Sequence, residues 1–403
     1  MTRKIRVHPA EARGFSRLVG DATLGLTDLV EAMHATITHA PGILGPPTRS
    51  GTHGIAGLVY GSIRVITGLV AGAADAALGQ LAQHFGEPGP SAERGALLAA
   101  LNGVLGDYLA ATDNPLAIPM RLRCDGRSLD LSARSLATSI PEPRQNIILL
   151  VHGLCMHDGH WLRREHDHGA RLAAGLGYTP VYLHYNTGLH ISTNGRAFAD
   201  LIEALLLHWP VPVENVAIIA HSMGGLVARS ACHYGALASH GWLRHLRDIV
   251  FLGTPHHGAP LERVGNWLNG MLGVSPYTAA LTRLGKIRSA GITDLRYGNL
   301  LDEDWAECDR FAHRGDQRRP VSLPDGVQCY TIAATAGTAA GDPCGQLLGD
   351  GLVPLNSALG RHANPDLAVC FPESHQWIGY AMNHLDLLDR AEVYEQMRRW
   401  LAA

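Results

Sequence analysis

A serine at position 222 has the surroundings of a nucleophile. It lies in the segment NVAIIAHSMGGLVARSA, where an apolar strand pattern ends near Ala220 and a helical pattern begins at Gly224. Small residues on both sides allow a sharp turn that would expose the hydroxyl at the end of the strand, an A-x-S-x-G form of the nucleophile elbow. The start of a helix also offers N–H groups to a developing negative charge. A serine that merely caps the helix is the alternative.

A hydroxyl nucleophile needs a base, and the base needs an orienting acid. In elbow enzymes the chain order is serine, acid, histidine. His384, in AMNHLDLLDR, precedes the last helical pattern, and Asp350, in LLGDGLVPLNSALG, precedes His384 with one predicted strand between them. Consecutive loops at strand ends would place the two side by side. The alternatives are that His384 is one of 23 ordinary histidines, that Asp350 is a turn residue, or that the acid is Asp342 or Asp386.

Two backbone amides are the expected donors of an oxyanion hole. The Met223 N–H follows the nucleophile directly, which is the usual place for the first donor. The second should come from the loop HGLCMHDGHW after the strand NIILLV, where His152 and Gly153 permit a turn and the Leu154 N–H follows. A simple turn at the end of the strand is the alternative for this loop.

A parallel sheet would position these residues. MRLRC-DG-RSLDL predicts a hairpin that turns at Asp125–Gly126. Apolar strand patterns then alternate with helical patterns, as in βαβ units. The predicted strands after the hairpin are NIILLV, 180–185, 213–220, 247–253, 327–334 and 367–371, and the predicted helices are 163–176, 195–208, 224–238 and 385–400. The fold class predicted is α/β, with a mostly parallel sheet flanked by helices.

Two regions depart from this alternation. Residues 1–115 are rich in Ala, Gly and Leu at helical spacings, and they predict an N-terminal region of three or four helices of unknown role. The catalytic domain is predicted at 116–403. Within it, residues 259–325 are irregular, and a segment of that length inside a compact domain predicts a lid or cap insertion.

The composition excludes several classes of protein. The chain has 403 residues, of which 46% are hydrophobic and 17% charged, so it is not disordered. A net charge of −3 gives no basic surface for nucleic acid. Seven cysteines without a CxxC pair make neither a disulfide framework nor a zinc ribbon. The N-terminal sequence MTRKIRVHPAEARGF lacks the apolar core of a secretory signal, so we expect a cytoplasmic protein.

The most apolar stretch of the chain covers residues 54–82. Arg64 and Asp75 interrupt it, and the uncharged piece between them is too short to span a membrane. The pattern favours a buried or amphipathic helix pair. Peripheral contact with a membrane or lipid surface stays open.

Five separated segments of the chain resemble one superfamily. VHGLCMHDGHW, IIAHSMGGLVAR, FLGTPHHGAPLE, GDGLVPLNSALG and MNHLDLLD occur in the order expected for α/β-hydrolases, and they are most similar to the bacterial triacylglycerol lipases and related serine esterases. The resemblance covers about residues 120–403. It implies Ser222, Asp350 and His384 as a catalytic triad, carboxylic ester hydrolysis as the activity, and a mobile lid between FLGTPHHG and CYTIAAT.

The sequence departs from the calcium-dependent members of that branch. Asp386 matches a residue that helps to bind the ion, but Arg390 stands where those lipases have a glutamine, and a cation there would repel calcium. A helical Asp386–Arg390 pair is the simpler interpretation. Asn356 replaces a cysteine, so the disulfide of those lipases is not expected. A histidine-rich segment with His157, His160, His166 and His168 matches no usual zinc spacing, so we predict no metal and no cofactor.

An apolar substrate is the last inference from the sequence. The low charge and the apolar lid residues favour an ester with an apolar acyl group, bound as a small molecule or lipid. The residues expected to contact the substrate are Trp161, His221, Trp267 and Met271. Three alternatives remain open, namely an acyltransferase on the same triad, an amidase, and a non-catalytic protein that binds lipid or a partner. The oligomeric state is unknown.

Overall fold

The computed structural model describes residues 8–38, 55–83, 92–260, 288–306, 309, 315–340, 342 and 349–403. The chain forms two compact units. The first comprises Met1–Gly89 with Leu109–Ala117, and the second comprises Pro90–Tyr108 with Ile118–Ala403. The predicted lid falls partly outside the described residues, which include 288–306 but not 261–287.

The first unit is helical, as the sequence predicts. Helix α1 (Pro9–Thr38) packs on helix α2 (Ile55–Gln83). Arg13 and Arg17 of α1 both bind the carboxylate of Asp75 on α2, and their hydrogen bonds hold its pKa far below the ordinary range. The described part of the chain contains no helix that is both long and apolar enough to cross a membrane.

The second unit is built on an eight-stranded sheet. Its strands are β1 (Arg121–Cys124), β2 (Arg127–Ser128), β3 (Asn146–Val151), β4 (Tyr178–His184), β5 (Asn215–His221), β6 (Leu246–Leu252), β7 (Gln328–Thr335) and β8 (Gln376–Tyr380). The spatial order is β2-β1-β4-β3-β5-β6-β7-β8. The pairs β2–β1 and β1–β4 are antiparallel, and the others are parallel. The prediction of a mostly parallel α/β sheet is therefore confirmed.

Helices cover both faces of this sheet. After α1 and α2 they are α3 (Ala92–Ala111), α4 (Ala133–Ser139), α5 (His168–Leu176), α6 (Ile191–Leu207), α7 (Met223–Leu237), α8 (Ala290–Asp294), α9 (Leu355–Ala358) and α10 (Ala391–Leu401). One core cluster joins Ile148 and Ile219 of the central strands to Leu172 of α5 and Met397 of α10. Alternate strand residues point to the opposite face, and there α7 packs on β3, β5 and its neighbour α6.

The prediction of a strand at residues 367–371 is wrong. Residues 367–371 form no strand, and the strand at the end of the sheet is β8, at Gln376–Tyr380. Val369 and Phe371 are buried, which explains the apolar pattern of this segment. The segment packs through its side chains, and the Val369 N–H donates to the Gly360 carbonyl. Strand β8 lies at the edge of the sheet and is only half-buried, which gave it a weak apolar signal.

Part of the predicted N-terminal region packs within the second unit. Residues 90–108 contain most of α3, and Ala99 and Leu101 there are 1% and 2% exposed. The helix is approached closely at its glycines. A Cβ on Gly106 would lie 1.9 Å from Asn186 Oδ1, and a Cβ on Gly103 would lie 2.1 Å from the sulfur of Cys155. Helix α3 therefore belongs to the structure that surrounds the ends of β3 and β4.

Asp248 on β6 is a buried carboxylate whose charge lowers stability. It is 3% exposed, and burial raises its pKa to about 6, although Arg247 lies 3.7 Å away. An unfolded aspartate has a pKa of about 3.9, so the folded state binds the proton more tightly and loses stability as the pH rises from about 4 to above 6.

We expect Asp248→Asn to raise the melting temperature at pH 8, by the equivalent of about 2–3 kcal/mol, and to have little effect at pH 4. Thermal unfolding across this range measures the difference, with the exposed Asp366→Asn as the control. A variant that is no more stable than the parent at pH 8 would show that the ionised carboxylate is well solvated.

Candidate active site

Ser222 occupies a strained turn between β5 and α7. Its backbone has φ 56° and ψ −128°, a conformation that costs energy in a residue with a side chain. The turn is held because the Ser222 N–H donates to the Leu252 carbonyl at 2.8 Å. It is also tight, since a Cβ on Gly224 would lie 2.5 Å from the Val151 carbonyl oxygen. The side chain is therefore fixed where strand β5 ends and helix α7 begins.

Asp350 and His384 form a buried pair. Asp350 Oδ2 lies 2.6 Å from His384 Nδ1, and each residue is 4% exposed. The other carboxylate oxygen accepts the N–H groups of Leu352 and Val353, at 3.0 and 2.8 Å, which fixes its orientation. A carboxylate can only accept from Nδ1, so in the neutral imidazole the lone pair is on Nε2. The imidazole is thus in the tautomer that a general base needs.

His384 lies beside the serine turn. The His221 ring, directly before Ser222 in the chain, is 4.6 Å from the His384 ring, and its Nε2 donates to the His384 carbonyl at 3.1 Å. A Cβ on Gly253, at the end of β6, would lie 3.1 Å from His384 Cε1. Burial and the neighbouring His384 lower the pKa of His221 well below its ordinary value, so His221 is neutral. The structure therefore makes His221 a support for the His384 backbone.

The loop after β3 also lies close to Ser222. A Cβ on Gly153 would lie 2.9 Å from Ser222 Cβ. The next N–H, that of Leu154, has no acceptor among the described residues, and Met223 provides the first N–H of α7, which has no acceptor within the helix. Both predicted oxyanion donors thus come from segments that adjoin Ser222.

Tyr185 and Thr187 hold this loop, and neither was predicted from the sequence. The Tyr185 hydroxyl donates to the His152 carbonyl at 2.7 Å, and the Cys155 N–H donates to Thr187 Oγ1 at 3.1 Å. Cys155 itself has φ 58°. Tyr185 and Thr187 lie in the short polar run after β4. Polar residues at the end of a buried strand are the sequence feature that could have predicted their role in this loop.

Of the four residues predicted to contact the substrate, Trp161 and His221 lie within the described part of the chain. The Trp161 ring is 1% exposed and belongs to the core cluster with Leu150 and Met156, so it packs inside the unit. His221 supports His384, as described above. Trp267 and Met271 lie outside the described residues.

Two histidines of the histidine-rich segment, His166 and His168, form hydrogen bonds with each other and with a distant backbone carbonyl. His166 Nε2 and His168 Nδ1 are 2.7 Å apart, and His168 Nε2 donates to the Leu387 carbonyl. Burial lowers the pKa of His168 to about 3. Among the residues with described positions, no group of three His, Cys, Asp or Glu residues could hold a metal ion.

The prediction of a helical Asp386–Arg390 pair is wrong, because helix α10 begins only at Ala391. Asp386 instead accepts the Asn383 N–H at 3.0 Å, in the turn that carries His384. The Arg390 side chain reaches Glu392.

The close approach at Gly153 gives a test of this geometry. We expect Gly153→Ala to lower kcat/KM for a small ester by about 10- to 100-fold, because the added methyl must displace either the loop or Ser222. Gly175→Ala is the matched control, since its Cβ would meet only the Tyr394 hydroxyl at 3.5 Å. Steady-state kinetics of both folded variants measures the difference in kcat/KM. Equal values would mean that the loop can move away from Ser222.

Comparisons with known proteins found a matching family model and several similar solved structures. A family model described as a PGAP1-like alpha/beta domain matches residues 196–324. Among solved structures, the mature lipase of Bacillus licheniformis aligns over 70% of this chain and 97% of its own, with 17% identity and a TM-score of 0.41. Lipase B of Aspergillus fumigatus aligns over 70% and 56%, with 11% identity and a TM-score of 0.41. Staphylococcus hyicus lipase aligns over 64% and 94%, with 14% identity and a TM-score of 0.35.

No curated protein matches the sequence. The sheet order, the elbow between β5 and α7 and the family-model match together show the architecture. The chain has the α/β-hydrolase fold, and its residues 196–324 are similar to the PGAP1-like alpha/beta domain family.

Proposed function

We propose that the chain is a serine hydrolase that cleaves carboxylic esters of lipids or other small molecules. The observation that carries the proposal is the buried contact of 2.6 Å between Asp350 and His384, beside the strained turn that holds Ser222. These three residues follow one another in the chain order of elbow hydrolases. The proposed chemistry uses only side chains and backbone amides, so it needs no cofactor.

The proposed reaction has two acyl-transfer steps. His384 Nε2 accepts the Ser222 proton while Oγ attacks the ester carbonyl, and the Met223 and Leu154 amides stabilise the oxyanion. The imidazolium then protonates the departing alcohol, which leaves an acyl-serine. Water attacks this ester with the same base, and the acid is released. Asp350 keeps the imidazole in the productive tautomer and stabilises its charged form.

Covalent labelling tests the proposed nucleophile directly. A fluorophosphonate reacts only with an activated serine hydroxyl, so we expect one label per chain, mapped to the Ser222 peptide by mass spectrometry. His384→Ala should slow the labelling strongly because the base is lost. A chain that takes no label would favour the non-catalytic alternative, in which the protein binds a lipid or a partner.

An ester series tests the proposed substrate class. We propose that the acyl site is apolar and that Trp267 and Met271 contribute to it, on the basis of their sequence pattern. The kcat/KM values for p-nitrophenyl esters should then rise from acetate to octanoate, since each buried CH₂ contributes about 0.8 kcal/mol. Equal values would contradict an apolar site. Added alcohol acceptors and the matching anilides distinguish hydrolysis from acyl transfer and from amidase activity.

A further inference from the structure

The second unit buries an arginine whose charge is not balanced. Arg229 lies on α7 and is 4% exposed, and burial lowers its pKa to about 10, which leaves it charged at neutral pH. Its Nη2 donates to the Val321 carbonyl at 2.5 Å, and its Nη1 lies 3.4 Å from His256 Nδ1. Both partners are neutral. No carboxylate within the described ranges forms an ion pair with it.

A small cavity adjoins this side chain. Arg229, His256, Gly298, Arg318 and Val321 are among the residues that line it. It has room for about one particle of the size of a water molecule.

Three N–H groups of the lining residues have no hydrogen-bond acceptor, at Arg229 Nε, His256 Nε2 and Arg318 Nε. Arg229 Nε is buried and has no hydrogen-bond partner. His256 is fully buried, which lowers its pKa well below the ordinary value and keeps it neutral. Because His256 Nδ1 accepts from Arg229, its proton is on Nε2, and that atom is also buried without a partner. The residues that line the cavity therefore carry buried N–H groups without an acceptor.

The other two arginines of the cavity already have carboxylate partners. Arg318 Nε lies 3.3 Å from Asp316, and Arg319 Nη1 lies 3.6 Å from Glu303. Of the three arginines that line the cavity, Arg229 is the one without a carboxylate partner among the residues with described positions. A buried, uncompensated charge is strongly destabilising. A water molecule could accept one of the N–H groups, but only an anion would also neutralise the charge.

We propose that this cavity binds one small inorganic anion, of the size of chloride. The ligand is monovalent because one positive charge lacks a partner, and it is monatomic in size because the cavity holds about one water-sized particle. It lies between α7 and the TPHHG segment after β6, and it stabilises the folded second unit.

Thermal unfolding of the full chain tests the stabilisation. At constant ionic strength, replacing sodium gluconate with about 100 mM sodium chloride should raise the melting temperature by about 2–4 °C in a saturable way, because gluconate is too large for the cavity. In Arg229→Met the chloride-specific rise should vanish, whereas in the control Arg361→Met, at an exposed position, it should persist. An equal rise in Arg229→Met would overturn the proposal.

A crystallographic measurement does not depend on how the variant folds. Crystals of the unmodified protein grown in sodium bromide should show an anomalous peak within about 3.5 Å of Arg229 Nε, in the distance range of a charge-assisted N–H contact. Ordinary water density without an anomalous signal there would overturn the assignment of an anion.

Discussion

Replacing Ser222 by alanine is expected to lower kcat/KM for a p-nitrophenyl ester by up to about a millionfold. The members of a catalytic triad act as a unit, so the loss of the nucleophile removes nearly all the acceleration that they provide. The remaining activity should come from substrate binding and the oxyanion donors. The fluorophosphonate label should disappear from the variant as well.

Two controls separate chemistry from folding in this experiment. The melting temperature of Ser222→Ala should stay close to that of the parent, because the turn is held by the backbone bond to Leu252. Ser139→Ala, at an exposed serine on α4, should leave both activity and labelling unchanged. A Ser222→Ala variant with a tenth of the parent activity would remove Ser222 from its proposed role.

Replacing Asp350 by asparagine should lower the rate by about 10⁴-fold. The amide oxygen can still accept the Leu352 and Val353 N–H groups, but the NH₂ group then faces His384 Nδ1. Nδ1 would become an acceptor, and the imidazole proton would move to Nε2, where it blocks the base. The fall should appear in kcat, whereas KM for a small ester should change little.

The rival acids supply the comparison for this variant. Asp386→Asn changes a carboxylate in the turn that carries His384, and Asp342→Asn changes one in the same region of sequence as Asp350. We expect both to retain most of the activity. If either variant loses activity while Asp350→Asn keeps it, the acid has been assigned to the wrong residue.

The sequence predicted the features that depend on short local patterns. Strand β5, the turn at Ser222 and helix α7 lie within one continuous segment, so their apolar periods and glycines define them locally. The Asp125–Gly126 turn is also local, and it has the positive φ values of 48° and 71° that such a turn needs. The approach of Asp350 to His384 follows because consecutive loops of a parallel sheet meet at one edge.

Packing between distant segments could not be predicted from these local patterns. Residues 367–371 have an apolar pattern that suits either a strand or an irregular buried segment, and only the position of β8 at the edge decides between them. The position of the Trp161 ring in the core cluster is set by residues far from it in the chain, and its contact with a substrate stays a prediction. Helix α3 has an apolar pattern that does not reveal which unit it packs on.

The position of α3 limits where the chain can be cut. Residues 90–108 carry the glycines that meet Asn186 and Cys155, and Asn102 Oδ1 accepts the Ile118 N–H at 2.9 Å. A shortened protein that begins at the first strand would lose a helix of its own core and expose the loop behind Leu154. A fragment that keeps its activity should therefore start before Pro90, well ahead of the point where the strand pattern begins.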